Sequence, residues 1–69
     1  MTGLRLTDHE WETARQVCTD KQILALDLWR RGAGYRRIGQ LLDIDESTAR
    51  QHIKRGRKRL ELELEQQAA

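Results

Sequence analysis

The sequence predicts an all-α protein, one small four-helix domain over residues 1–69 that ends in a long helix. Two observations favour helices over strands. Proline is absent, and strong helix formers such as leucine, arginine and glutamate are abundant. Apolar residues also recur at the three- and four-residue spacing of helices. The length of 69 residues allows one small core and leaves no room for a second domain.

The first two helices are predicted from capping boxes. In this motif a threonine and an acidic or amide side chain three residues later each accept a hydrogen bond from the other's backbone N–H. The two pairs are Thr7 with Glu10, and Thr19 with Gln22. They place the first helix at 8–17 and the second at 20–31.

The second helix is predicted to be the central helix of the domain, because apolar residues cover more than half of its circumference. Leu24 and Trp29 belong to this apolar surface, and Trp29 is assigned to the core rather than to a ligand-binding platform. The glycines of segment 32–34 are expected to end the helix, since glycine tolerates the left-handed conformation of a C-cap.

The third helix is predicted at 35–42, with Ile38, Leu41 and Leu42 as its buried stripe. Gly39 lies in the middle of this helix, where glycine costs about 1 kcal/mol relative to alanine. Such a cost predicts that another helix approaches closely at this position.

A three-residue turn at 43–45 is predicted to lead into the fourth helix, at 46–65. Asp43 is expected to adopt the left-handed backbone conformation, and Asp45 is expected to cap the helix. The fourth helix has a narrow apolar stripe suited to packing on the third helix. The stripe consists of Ala49, Ile53, Gly56, Leu60 and Leu64.

The net charge of +2 conceals an uneven distribution. Residues 46–59 carry six positive charges and one negative charge, whereas residues 60–69 carry three negative charges and no positive one. At 100° per residue most of the basic side chains fall opposite the apolar stripe, with Arg57 and Arg59 beside it. Two explanations of this basic cluster are open. The cluster is either simply a solvated helix face, or a surface that binds an anionic partner, most often a nucleic acid.

A short helix, a tight turn and a longer helix with a basic outer face together describe a helix-turn-helix, formed by the third and fourth helices. The second helix of this motif enters the DNA major groove and contacts base edges and phosphates. The expected base contacts are Ser47, Arg50, Gln51 and Lys54. The expected phosphate contacts are Tyr35, Arg36, Arg37, Thr48, Arg55, Arg57 and Lys58.

The segment from Thr19 to Leu60 resembles region four of bacterial sigma factors and, more distantly, the LuxR-type helix-turn-helix. The matching elements are Ile38-Gly39, Leu42-Asp43-Ile44, Thr48-Ala49, Ile53 and the run 55–60. The chain departs from the family pattern at Asp43, where the family has glycine, and at Gly39, where it has alanine. The resemblance implies binding to promoter or operator DNA and contact with RNA polymerase. No segment is expected to melt promoters, so the chain is not expected to act as a complete sigma factor.

The predicted function is sequence-specific binding of double-stranded DNA in transcriptional regulation, as in a small phage or mobile-element repressor. The alternative is a protein-interaction module that binds RNA polymerase or a sigma factor without contacting DNA. Leu62 is either an isolated exposed residue or a contact with a second copy or a partner. A homodimer would place its two copies on half-sites about 34 Å apart.

Other classes of function are not expected. Cys18, His9 and His52 are too scattered for a structural zinc site, which needs four clustered ligands. No nucleophile–base pair indicates an enzyme, and neither a cofactor nor a small-molecule substrate is expected. The longest apolar run, 23–26, is too short to cross a bilayer. A single cysteine and the lack of a secretion signal predict a cytoplasmic protein, associated with the nucleoid when bound to DNA.

Overall fold

The computed structural model describes residues 6–68, which form four α-helices and contain no strand. The prediction of an all-α fold with a long C-terminal helix is therefore confirmed. Residues 1–5 and 69 of the predicted domain lie outside the described range. The helices are α1 (Asp8–Val17), α2 (Asp20–Arg30), α3 (Tyr35–Leu42) and α4 (Glu46–Ala68).

Both predicted capping boxes are present and fix the starts of α1 and α2. The Thr7 hydroxyl accepts from the Glu10 N–H at 3.1 Å, and the Glu10 carboxylate accepts from the Thr7 N–H at 2.9 Å. The matching distances for Thr19 and Gln22 are 3.2 and 3.0 Å. Each box satisfies two backbone N–H groups that a helix start would otherwise leave without partners.

Two helix ends differ from the prediction. Helix α2 ends at Arg30, one residue earlier than predicted. The backbone of Arg31 is no longer α-helical, and its N–H donates to the Leu28 carbonyl at 3.2 Å. Helix α4 runs three residues beyond 65, since glutamine and alanine favour helix and no breaker intervenes. Gln67 in this extension lies within hydrogen-bond distance of His9 in α1, with Oε1 3.0 Å from Nε2.

Helix α4 is the central helix, and the prediction that α2 takes this place is wrong. The 23 residues of α4 make it about 34 Å long, and it packs against each of the other three helices. The apolar surface of α2 is only partly covered. Leu24 of α2 is 53% exposed, and Leu41 of α3, which the helical spacing predicts in a buried stripe, is 49% exposed.

The core lies where α2, α3 and α4 meet, and α4 contributes its predicted stripe. In α4 the residues Ala49, Ile53, Gly56 and Leu60 are buried, and Leu64 is half-buried. Their partners Leu26 of α2 and Ile38 of α3 are completely buried. This burial fixes the rotation of α4 about its axis and therefore decides which of its residues face solvent.

The turn between α3 and α4 is held by hydrogen bonds to one carbonyl group. Asp43 has the predicted left-handed conformation (φ 57°, ψ 49°), and its N–H and that of Ile44 both bond to the Gly39 carbonyl. A Cβ atom at Gly39 would lie only 2.8 Å from the Ile44 carbonyl oxygen. The close approach predicted at Gly39 is therefore made by the backbone of the turn and the start of α4.

Helix α4 begins directly after the turn, with Asp45 in the capping position. The Asp45 carbonyl accepts the first helical hydrogen bond, from the Ala49 N–H at 2.9 Å. The turn thus sets where α4 starts and how its first residues are oriented relative to α3.

Candidate nucleic-acid interface

The candidate interface is the outer basic face of α4, which we define as Arg50, Lys54, Arg55, Arg57 and Lys58. All five side chains are exposed, whereas the stripe on the other side of the helix is buried. Burial of that stripe against α2 and α3 turns these cations toward solvent. Because the charges lie on one side of a single helix, their electrostatic fields add in one direction.

The cations of the basic face are not neutralised by ion pairs within residues 6–68. The ion pairs in this range join Arg15 to Glu12, and Arg30 and Arg31 to Asp27. These pairs lie on α1 and at the end of α2. The basic face therefore keeps its charge available for an anionic partner.

Two open grooves flank a ridge formed by Lys54 and Lys58. The first groove lies on the α3 side, has a volume of about 450 Å³, and is called here the tyrosine groove. It is lined by Tyr35, Arg50, Ile53, Lys54, Arg57, Lys58 and Glu61. The second groove lies on the α2 side, has a volume of about 590 Å³, and is called the glutamine groove. It is lined by Gln22, Gln51, Lys54, Arg55, Lys58 and Arg59.

The structure brings most of the predicted contact residues onto these grooves, but not all of them. Ser47 and Thr48 precede both grooves on the first turn of α4, with Ser47 exposed and Thr48 half-buried. Arg36 and Arg37 are exposed on the first turn of α3 and line neither groove. The first turn of α3 has no side-chain cap, because its N-cap residue is Gly34.

Sequence reasoning missed an aromatic–guanidinium cluster at one end of the tyrosine groove. The rings of Trp29 and Tyr35 stack with centroids 6.3 Å apart and an interplanar angle of 23°. The Arg50 guanidinium lies over the Tyr35 ring at 5.2 Å, and that of Arg57 lies over the Trp29 ring at 5.0 Å. Trp29 is half-buried rather than a fully buried core residue. The four residues come from three helices, so no local spacing could have revealed the cluster.

Arg59 differs from the cations of the basic face because it holds two helices together. Its guanidinium donates to the Val17 carbonyl at the end of α1 at 3.0 Å. A cation at a helix C-terminus also interacts favourably with the helix dipole. We therefore assign Arg59 a structural contact and leave it out of the basic face.

The side chains considered for a metal site lie apart in the fold. The Cys18 thiol donates to the Gly56 carbonyl at 3.4 Å, and His9 lies beside Gln67. Burial raises the pKa of the Cys18 thiol, which favours the protonated form that does not bind metals. Within residues 6–68 no three His, Cys, Asp or Glu side chains are grouped as metal ligands. Among the described helices, none is long and apolar enough to span a membrane.

The charge on α4 changes sign along the helix. The basic face ends at Lys58, and Glu61, Glu63 and Glu65 follow on the C-terminal part. Glu61 lines the far end of the tyrosine groove. Leu62, predicted to point away from the core, is 49% exposed among these acidic residues.

No protein-family model, curated protein or solved structure matches this chain. The resemblance to sigma region four and to the LuxR-type helix-turn-helix therefore stays a prediction.

Proposed function

We propose that this chain binds double-stranded DNA through the basic face of α4, with α3, the turn and α4 acting as a helix-turn-helix. The observation that carries the proposal is a one-sided set of exposed cations, free of ion pairs within residues 6–68, on a helix whose other side is buried. A helix of about 10–12 Å diameter fits the major groove, which is about 12 Å wide.

The two ends of the basic face would take different parts in binding. Ser47, Arg50, Gln51 and Lys54 lie within about two turns of the start of α4, the part of a recognition helix that contacts base edges. Arginine and lysine pair with guanine, and glutamine pairs with adenine. Arg55, Arg57 and Lys58 lie further along and would contact phosphates. Thr48 on the first turn of α4, and Arg36 and Arg37 on the first turn of α3, would add further phosphate contacts.

The biological role that follows from this proposal is transcriptional regulation in the cytoplasm, at operator or promoter sequences. The sigma-like resemblance of segment 19–60 supports such a role, for example in a phage or mobile-element repressor. A homodimer on two half-sites would raise affinity, because each copy offers only one short recognition surface.

Titration of labelled duplex DNA at several salt concentrations tests the proposal. Lys58→Ala and Arg55→Ala should weaken binding to all sequences and reduce the salt slope by about 0.9 for each phosphate that the variant no longer neutralises. Arg15→Ala is the matched control, since it removes one exposed positive charge from α1, away from the basic face. An equally weakened affinity in the control would show that only net charge matters and would refute the assigned face.

Selection of bound sequences from a random DNA pool tests sequence specificity. We expect an enriched motif, and Lys54→Ala should relax preference at one of its positions by about 1–3 kcal/mol. Enrichment of no motif would refute sequence-specific recognition. A palindromic motif would support the homodimer.

A second candidate function is binding to RNA polymerase or a sigma factor without contact to DNA. The observation that favours it is exposed leucine outside the basic face, at Leu24, Leu41 and Leu62. A pull-down from lysate treated with nuclease separates the two functions. Recovery of polymerase without DNA, combined with no binding to purified DNA, would replace the first proposal by the second.

A further inference from the structure

We propose that Tyr35 is a positioning residue whose ring holds the Arg50 guanidinium in place for its nucleic-acid contact. The inference rests on the proposed function and assigns the Tyr35 side chain a role other than the phosphate contact predicted from the sequence. The geometry that carries it is the guanidinium of Arg50 lying 5.2 Å from the centroid of the Tyr35 ring.

The Tyr35 ring is itself fixed by its surroundings. Tyr35 is the first residue of α3, directly after the N-cap Gly34, and it is half-buried. Its ring stacks on Trp29, which is packed against the core cluster. A ring held by a helix start and by a second ring offers a rigid face, whereas Arg50 is an exposed side chain with several rotatable bonds.

The contact with the Tyr35 ring leaves Arg50 able to bind. A guanidinium over an aromatic ring is attracted by the electron-rich ring face, and this attraction uses none of its five N–H donors in a hydrogen bond. The donors of Arg50 therefore stay available to a base edge or a phosphate in the tyrosine groove. An arginine held in one orientation before binding gives up less rotamer freedom when it binds, and this raises affinity.

The second aromatic residue of the cluster, Trp29, makes a similar contact with a second arginine. Trp29 stacks on the Tyr35 ring, and the Arg57 guanidinium lies 5.0 Å from the centroid of the Trp29 ring. Two arginines of the basic face are thus held at fixed places along one wall of the tyrosine groove. Among the described residues, the cations that lie over aromatic rings are Arg30, Arg50 and Arg57, and the ridge residues Lys54 and Lys58 are not among them.

A double-mutant cycle on DNA binding tests the inference. Tyr35→Leu removes the aromatic face and should lower affinity by about 2- to 5-fold, the range that matches a surface cation–π contact. Tyr35→Phe keeps the ring and should restore most of the affinity. In an Arg50→Ala background, Tyr35→Leu should have almost no further effect.

Additive effects in the cycle would overturn the inference, because they would mean that Tyr35 acts independently of Arg50. An affinity as low in Tyr35→Phe as in Tyr35→Leu would also overturn it, since the hydroxyl group would then be the important part. Circular dichroism of each variant checks that the helices remain folded.

A measurement without DNA separates this inference from the proposed function and does not depend on any variant. In the ¹H–¹⁵N spectrum of the wild-type protein, the Arg50 Nε–H signal should be shifted upfield by the Tyr35 ring relative to those of Arg36 and Arg37. An unshifted Arg50 signal would overturn the positioning role even if DNA binds. A shifted signal in a protein that fails to bind DNA would establish the contact between Tyr35 and Arg50 but refute the proposed function and, with it, the role of this contact in DNA binding.

Discussion

Substitution of Gly39 by alanine tests how tightly the turn packs on α3. A Cβ atom at this position would lie 2.8 Å from the Ile44 carbonyl oxygen, and 3.4 Å from the Asp45 carbonyl carbon and the Glu46 nitrogen. All three neighbours are backbone atoms, so no flexible side chain can move aside. The turn itself would have to shift, although the N–H groups of Asp43 and Ile44 tie it to the Gly39 carbonyl.

Two opposing effects decide the magnitude. Alanine is favoured over glycine in a helix by about 0.8–1 kcal/mol. Overpacking a rigid site costs about 1–3 kcal/mol, and a contact with hydrogen-bonded backbone belongs to the upper part of that range. We therefore expect Gly39→Ala to lower the free energy of unfolding by about 1–2 kcal/mol. For a domain of this size the melting temperature falls by about 4–8 °C per kcal/mol.

Thermal and urea unfolding followed by circular dichroism of the helices measure this effect. Gly34→Ala is the matched control, because a Cβ atom at Gly34 meets nothing within 4 Å and the backbone there has negative φ. The control should change stability by less than about 0.5 kcal/mol, because the preference of an N-cap for glycine over alanine is opposed by the smaller unfolded-state entropy of alanine. A melting temperature for Gly39→Ala at or above the wild-type value would show that helix propensity outweighs the contact with the turn.

Three further predictions concern charge and protonation. Glu61→Gln should raise DNA affinity by about 2- to 5-fold at low salt, because it removes a negative charge from the tyrosine groove, whereas Glu65→Gln, which lines neither groove, should have a smaller effect. Hydrogen bonds from Thr7 lower the pKa of Glu10, so its contribution to stability is complete above the ordinary glutamate pKa and disappears as pH falls through the lowered value. Between about pH 7 and about pH 3, the melting temperature should therefore fall less in Glu10→Gln than in the wild-type protein. An equal fall in both proteins would contradict this. Burial raises the pKa of Cys18, so its thiol should react with a disulfide reagent more slowly in the folded protein than in denaturant, and equal rates would contradict its half-buried position.

Features decided by neighbours in the sequence can be predicted correctly. The capping boxes depend on residues three apart, and the left-handed Asp43 depends on a tight turn between two helices. The buried stripe of α4 follows from helical spacing, since Ala49 and Ile53 lie on one side of any helix that contains them. The exposure of the basic face is predictable for the same reason.

Features decided by packing between helices cannot be predicted in this way. Apolar residues make up a larger share of α2, yet α4 is central because its length lets it contact every other helix. Leu24 and Leu41 are apolar and fit the helical spacing, but about half of each residue stays exposed. The stacking of Trp29 on Tyr35 needs the end of one helix to meet the start of the next, and periodicity within a helix contains no information on that meeting.

Helix α4 carries both the core stripe and the basic face, and this division has an evolutionary consequence. Positions 49, 53, 56 and 60 are buried and would tolerate few replacements, whereas the exposed positions between them can change at a cost of about 0.5 kcal/mol or less. Ser47, Arg50, Gln51 and Lys54 belong to the second group, since none is buried. The exposed surface of α4 can therefore change in sequence without repacking the core, although both surfaces belong to one helix.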